Sequence, residues 1–237
     1  MTALARRPDP LTAATHKPLE VVTVLVLSLP RPMVEKAFPA VERSLERQPN
    51  GWAYIGSRGK LRRFLGDRAG LVDLVAAGDR YLEVFEGKNP DLMTPANLYR
   101  LGGAPRATVV LRRMHAPLVA KVADRGHDSV WTGDLIEACF LLGLDEQCQQ
   151  AWKALRRADR GGVRGTRYGD VAALAKARTE GDVAACDSVV ASFDKWVAKE
   201  RNTFDDTGNI SLYDWLEIAL VVRAEVSGEP SPRLFEL

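Results

Sequence analysis

The sequence predicts an all-α protein of stacked helical hairpins, a bundle of about ten helices with no significant sheet. Three observations carry that expectation. The phrase Asp134-Leu135-Ile136-Glu137-Ala138-Cys139-Phe140-Leu141-Leu142 returns as Asp214-Trp215-Leu216-Glu217-Ile218-Ala219-Leu220-Val221-Val222, with a looser copy at Lys17-Pro18-Leu19-Glu20-Val21-Val22-Thr23-Val24-Leu25. Each copy sets a glutamate in an apolar run, as expected where helices stack because one unit alone cannot bury its apolar side. Elsewhere apolar residues recur at helical spacing, for example Val34, Phe38, Val41 and Leu45, and Gly and Pro clusters punctuate the segments.

Taken in order, residues 1–10 read as a loose lead-in with Pro8 and Pro10, and 11–237 as a single helical domain with halves 11–103 and 104–237 meeting at Gly102-Gly103-Ala104-Pro105. The run at 19–29 has strand propensity, but its match to the later phrases favours a buried helix ended by Pro30 and Pro32. A helix over 33–48 follows. Pro49-Asn50-Gly51 and Gly56-Ser57-Arg58-Gly59 then suggest a turn-rich connection around Trp52 and Tyr54, and the next apolar text suggests two helices broken near Gly78. A short helix begins near Thr94 with Pro95 in its first turn, and 107–123 reads as a helix disturbed at Pro117. Beyond it, 131–142, 145–157, 168–178 and 182–201 read as helices, with a flexible basic loop at Arg160–Arg167. The last strong helix runs to Val226, capped by Asn209 or Ser211.

At 237 residues the chain can build a core without metal or disulfide. Cys139, Cys148 and Cys186 are odd in number and lack CxxC spacing, so neither a disulfide framework nor a zinc site is encoded, which suits a reducing compartment. The longest good apolar run, Val21–Leu29, has nine residues, short of the roughly 20 a membrane helix needs; with no secretory pattern at the start, a cytoplasmic protein is expected. The net charge of +2 conceals an asymmetry: residues 1–64 carry eleven Lys/Arg against five Asp/Glu, and 179–237 five against twelve. Both regions read first as solvated faces.

Enzyme templates are missing: there is no phosphate-cradling Gly-rich turn, no HExxH and no GxSxG, and His16, His115 and His127 stand in unrelated contexts. No catalytic, cofactor or metal site is therefore assigned, and no enzyme is expected. Asp134/Glu137 and Asp214/Glu217 each share a helical face by i, i+3 spacing, but a di-metal bundle would also draw on Glu-x-x-His pairs. A structural role is favoured, with Glu137 and Glu217 meeting donors from adjacent helices; Arg112, Arg113 and Arg156 are available. Trp131, Trp196 and Trp215 read as core residues of the second half. Arg156–Arg167 has the look of an arginine-glycine nucleic-acid segment, yet it lacks interleaved aromatics for stacking, so a solvated loop is favoured.

The helical phrase Trp131-Thr132-Gly133-Asp134-Leu135-Ile136-Glu137-Ala138, and Trp196 followed by Tyr213-Asp214-Trp215-Leu216-Glu217-Ile218-Ala219, resemble the all-α immunity proteins of bacterial polymorphic-toxin systems, including those paired with PoNe-type DNase effectors. The chain departs from that pattern in having Leu212, not Gly, before the tyrosine. The resemblance covers about residues 125–228 and implies a non-catalytic protein that binds and occludes a cognate toxin, such as a nuclease. Glu180, Asp182, Asp187, Asp194, Asp205 and Asp206 are the partner-binding candidates. A homodimer stays open. The alternatives are a helical-repeat scaffold for protein interaction and a nucleic-acid-binding regulator using the basic N-terminal half.

Overall fold

In the computed structural model, the described residues are 31–86, 92–125, 129–158, 167–199 and 212–230. They form ten α-helices and no strand: α1 Arg31–Arg47, α2 Trp52–Phe64, α3 Ala69–Val84, α4 Met93–Leu101, α5 Arg106–Arg125, α6 Ser129–Leu141, α7 Asp145–Ala158, α8 Arg167–Glu180, α9 Val183–Lys199 and α10 Leu212–Ser227. The third copy of the repeated phrase, at 17–25, lies outside the described residues, as do the 1–10 lead-in and the capping candidates Asn209 and Ser211.

Every helix packs on the next one in the chain, and α6 on α8 and α8 on α10 add contacts that skip one helix. Stacked hairpins result. The large core cluster runs from Met93, Ala96 and Tyr99 of α4 to Val222 of α10, while Leu74, Ala77, Leu98 and Leu101 make a smaller one between α3 and α4, with Trp52 and Ile55 against it. Gly143 shows how the turns are made. It follows α6 at φ +75°, a conformation glycine adopts without a Cβ clash, and the Leu144 amide donates back to the Cys139 carbonyl at 2.9 Å.

Two expectations are corrected by close helix contact. Gly56-Ser57-Arg58-Gly59 lies inside α2, because a Cβ on Gly59 would sit 2.8 Å from Leu74 Cγ and 2.9 Å from the Gly70 carbonyl. These glycines let the α2 and α3 backbones touch. Gly78 does not break a helix either; α3 runs through it, and the Tyr99 ring takes the place of its side chain, 2.6 Å from where a Cβ would be. The break falls instead at 65–68, between α2 and α3. Pro117 lies inside a continuous α5.

Among the described residues no helix is long and apolar enough to cross a membrane. Cys139, Cys148 and Cys186 are unbridged and buried. Burial pushes the Cys139 thiol up to about 12 and raises Cys148 well above the ordinary thiol range.

Candidate binding surfaces

The two repeated acidic phrases do the same thing in different places. On α10, Arg63 of α2 donates Nη1 to Glu217 Oε1 at 2.9 Å and Nη2 to Glu217 Oε2 at 2.8 Å. Asp214, one turn earlier, lies 3.6 Å from Lys60 Nζ and accepts from Asn97 Nδ2 of α4 at 3.3 Å. Asn97 Oδ1 in turn accepts from Arg100 Nη2 at 2.8 Å. All six side chains are buried. Burial raises the Glu217 carboxyl above its usual range, with Arg63 pulling against that rise; burial also lowers Arg100, which Asp214 and Glu217 oppose. On α6, Glu137 is just as buried and accepts from Arg167 Nε of α8 at 2.6 Å.

These are the inter-helix donors expected, but not the expected arginines. Arg112, Arg113 and Arg156 are exposed; Arg63 and Arg167 take their place because α2 and the start of α8, not α5 or the end of α7, bring a guanidinium to the buried carboxylates. Arg167 also corrects the loop boundary, since it is the first residue of α8. Residues 159–166 lie outside the described residues. A third buried pair had no sequence signal assigned to it: Arg178 of α8 donates Nε to Asp145 Oδ2 at 3.0 Å and Nη2 to the Phe140 carbonyl at 3.0 Å, with its guanidinium 4.5 Å from the Phe140 ring centroid. The legible sign would have been Arg100 and Arg178 inside apolar or alanine-rich helical text.

Trp215 is fully buried, with the Phe140 and Phe193 ring centroids 5.9 and 6.4 Å away. Trp131 is half-buried against the large core. The Trp196 side chain lies outside the described residues.

Of the acidic partner-binding candidates, Glu180, Asp182, Asp187 and Asp194 are exposed at the end of α8, in the turn before α9 and on α9, and Asp205 and Asp206 lie outside the described residues. Several have local duties. Asp182 Oδ1 accepts from the Ala185 amide at 3.0 Å and caps α9. Asp187 accepts from Arg223 Nε at 2.9 Å, an arginine that also meets Glu229. Glu180 sits 3.7 Å from Lys176. The acidic face is thus partly neutralised by its own neighbours.

A second surface is built from rings and cations where α5 ends, α6 begins, α7 ends and α8 begins. Lys121 Nζ lies 3.9 Å from the Trp131 ring centroid, the Arg167 guanidinium 5.2 Å from Tyr168, and the Arg156 guanidinium 5.9 Å from Trp152. Two glycines let two of these rings pack closely on neighbouring helices. A Cβ on Gly133 would sit 2.3 Å from Tyr168 Cζ, and one on Gly169 would sit 3.1 Å from Trp152 Cζ2. Tyr168 and Trp152 therefore pack close against helix where these glycines leave room.

Searches with the chain found no matching family model, no matching curated protein and no matching solved structure. The helical phrases and the geometry above are what bear on function.

Proposed function

We propose that the chain is a non-catalytic binding protein, and specifically an immunity protein that binds and occludes a cognate bacterial toxin. One observation supports this most. The interior carboxylates Asp145, Glu137 and Glu217 are each held by an arginine from another helix, which makes them clamps within a scaffold, while Glu180, Asp182, Asp187 and Asp194 are exposed around the α8–α9 turn and along α9. A face of this kind favours a basic protein and steers its approach. Tethering a toxin to such a scaffold blocks its site by coverage, with no bond made or broken.

The test is co-expression with the small reading frames adjacent to this one. One of them should arrest growth alone and be neutralised by this protein, and the complex should associate more slowly as salt rises, since exposed charges are screened over about 8 Å at physiological ionic strength. Glu180→Lys with Asp194→Lys should weaken protection. If no neighbouring product is toxic, the immunity reading falls; full protection and an unchanged salt dependence in the double variant would remove this face from it.

A further inference from the structure

We propose that the cation–ring row at the shared end of α5, α6, α7 and α8 is a docking surface for an acidic segment of a partner protein, separate from the acidic face of α9 and opposite to it in charge. The three pairs share one end of the four helices. Trp131 stands two residues before Gly133, on which Tyr168 lies, and Tyr168 precedes Gly169, on which Trp152 lies. Lys121, Arg167 and Arg156 lie over these three rings, and Lys153 and Arg157 are exposed beside Arg156 in the last turns of α7. No ion pair engages Lys153, Arg156 or Arg157 among the described residues.

The chemistry selects the occupant. Trp, Tyr and Arg are the residues that dominate protein interfaces when held rigidly, because rings supply area at small entropic cost and guanidinium groups supply forked donors. Lys153, Arg156 and Arg157 are exposed, so a carboxylate can meet them directly, whereas Arg167 is already held by Glu137. A nucleic acid fits less well. Base stacking needs a free ring face, and Trp131, Trp152 and Tyr168 are each partly buried with a cation of the protein's own within 5.9 Å of the ring centroid. Asp124 and Asp134, exposed and half-buried at the same end, would oppose a chain that carries a phosphate at every residue, whereas acidic side chains on a peptide can be spaced to avoid them.

The test uses the full chain and two fluorescent probes, a poly-glutamate peptide and a single strand of DNA with the same number of charges, read by anisotropy. The peptide should bind more tightly than the DNA. Lys153→Glu, Arg156→Glu and Arg157→Glu together should weaken it by about tenfold or more, the scale of losing an interface anchor. Arg112→Glu with Arg113→Glu, an exposed pair elsewhere on α5, should have a much smaller effect. If the triple reversal alters the circular dichroism spectrum, Arg156→Gln with Arg157→Gln takes its place with the same expected ordering. During titration the indole N–H resonances of Trp131 and Trp152 should shift while that of Trp215 stays. No peptide binding, equal loss in the two reversals, or tighter binding of DNA would each overturn the proposal. Toxin protection is a separate readout, so this surface and the immunity reading can fail independently.

Discussion

Arg63 grips Glu217 with both Nη atoms across 154 positions of sequence, and both side chains are almost entirely removed from water, at 4% and 1% exposed. The pair ties α2 to α10. It is therefore a long-range constraint on a fold whose other contacts run mostly between consecutive helices. Removing one member strands the other charge in a low-dielectric interior, which costs about 3–5 kcal/mol. Glu217→Ala should fall in that range by urea denaturation, and Arg63→Met combined with Glu217→Leu should recover most of the loss.

The equivalent glutamate of the first phrase should matter less. Glu137 is buried, but Arg167 remains 38% exposed, so once Glu137 is gone water can still solvate the guanidinium. Glu137→Gln keeps a polar acceptor for Arg167 and should cost about 1 kcal/mol. A larger loss than for Glu217→Ala in the same denaturation assay would contradict this ordering.

Much of this was legible beforehand in residues 129–227. The repeated glutamates announced buried ionic clamps, and helices α6 to α10 have nearly the expected bounds, because apolar periodicity there is strong and Gly143 and Gly181 close turns between helices. Residues 52–84 were harder. Gly56, Gly59, Gly70 and Gly78 carry the local signature of turns, yet they mark places where one helix lies against another. That distinction depends on residues far away in the chain and leaves no local trace. The partners of Glu137 and Glu217 were hidden for the same reason: which arginine arrives is decided by helix order in space. The cation–ring pairs were split among four segments, which only the packing of α5 to α8 brings to one end.

Gly133→Ala should be destabilising. Its new Cβ would overlap the Tyr168 ring, 2.3 Å away, and overpacking of this kind costs about 1–3 kcal/mol. Tyr168→Leu should relieve the overlap, so the double variant should be more stable than the sum of the two single effects predicts. Simple additivity in thermal melts would mean that the ring moves aside freely.

Trp215→Ala should cost about 3–5 kcal/mol, as for other large buried aromatics, because the ring is wholly enclosed beside Phe140 and Phe193. The expected reading is a fall of many degrees in Tm with the circular dichroism spectrum at low temperature retained. An unchanged Tm would place the indole outside the core.

The buried thiols give the fold an alkaline limit with a definite sign. Cys139 is raised by burial from 9.0 to about 12, so the folded state holds its proton where the unfolded chain would release it. A group with a raised folded pKa contributes its full stabilisation below the unfolded value and loses it as pH climbs through the folded one. Stability should therefore be flat with respect to this thiol below pH 9 and decline between about 9 and 12, by at most about 1.4 kcal/mol per pH unit for the one proton. Tyr99 is likewise raised by burial and by its hydrogen bond to Asp79, to about 12, and adds to the decline above its ordinary value. Urea midpoints measured from pH 8 to 11 should fall with this curvature, and Cys139→Ala should make the fall shallower, leaving the share of Cys148 and Tyr99. At pH 8 the native protein should react with a thiol reagent only at the rate at which it opens, because the thiolate is both scarce and enclosed. Rapid labelling of Cys139 in the folded protein, or urea midpoints that rise with pH across this window, would show that the α6 thiol is not held in the interior of the large core cluster, where it is buried.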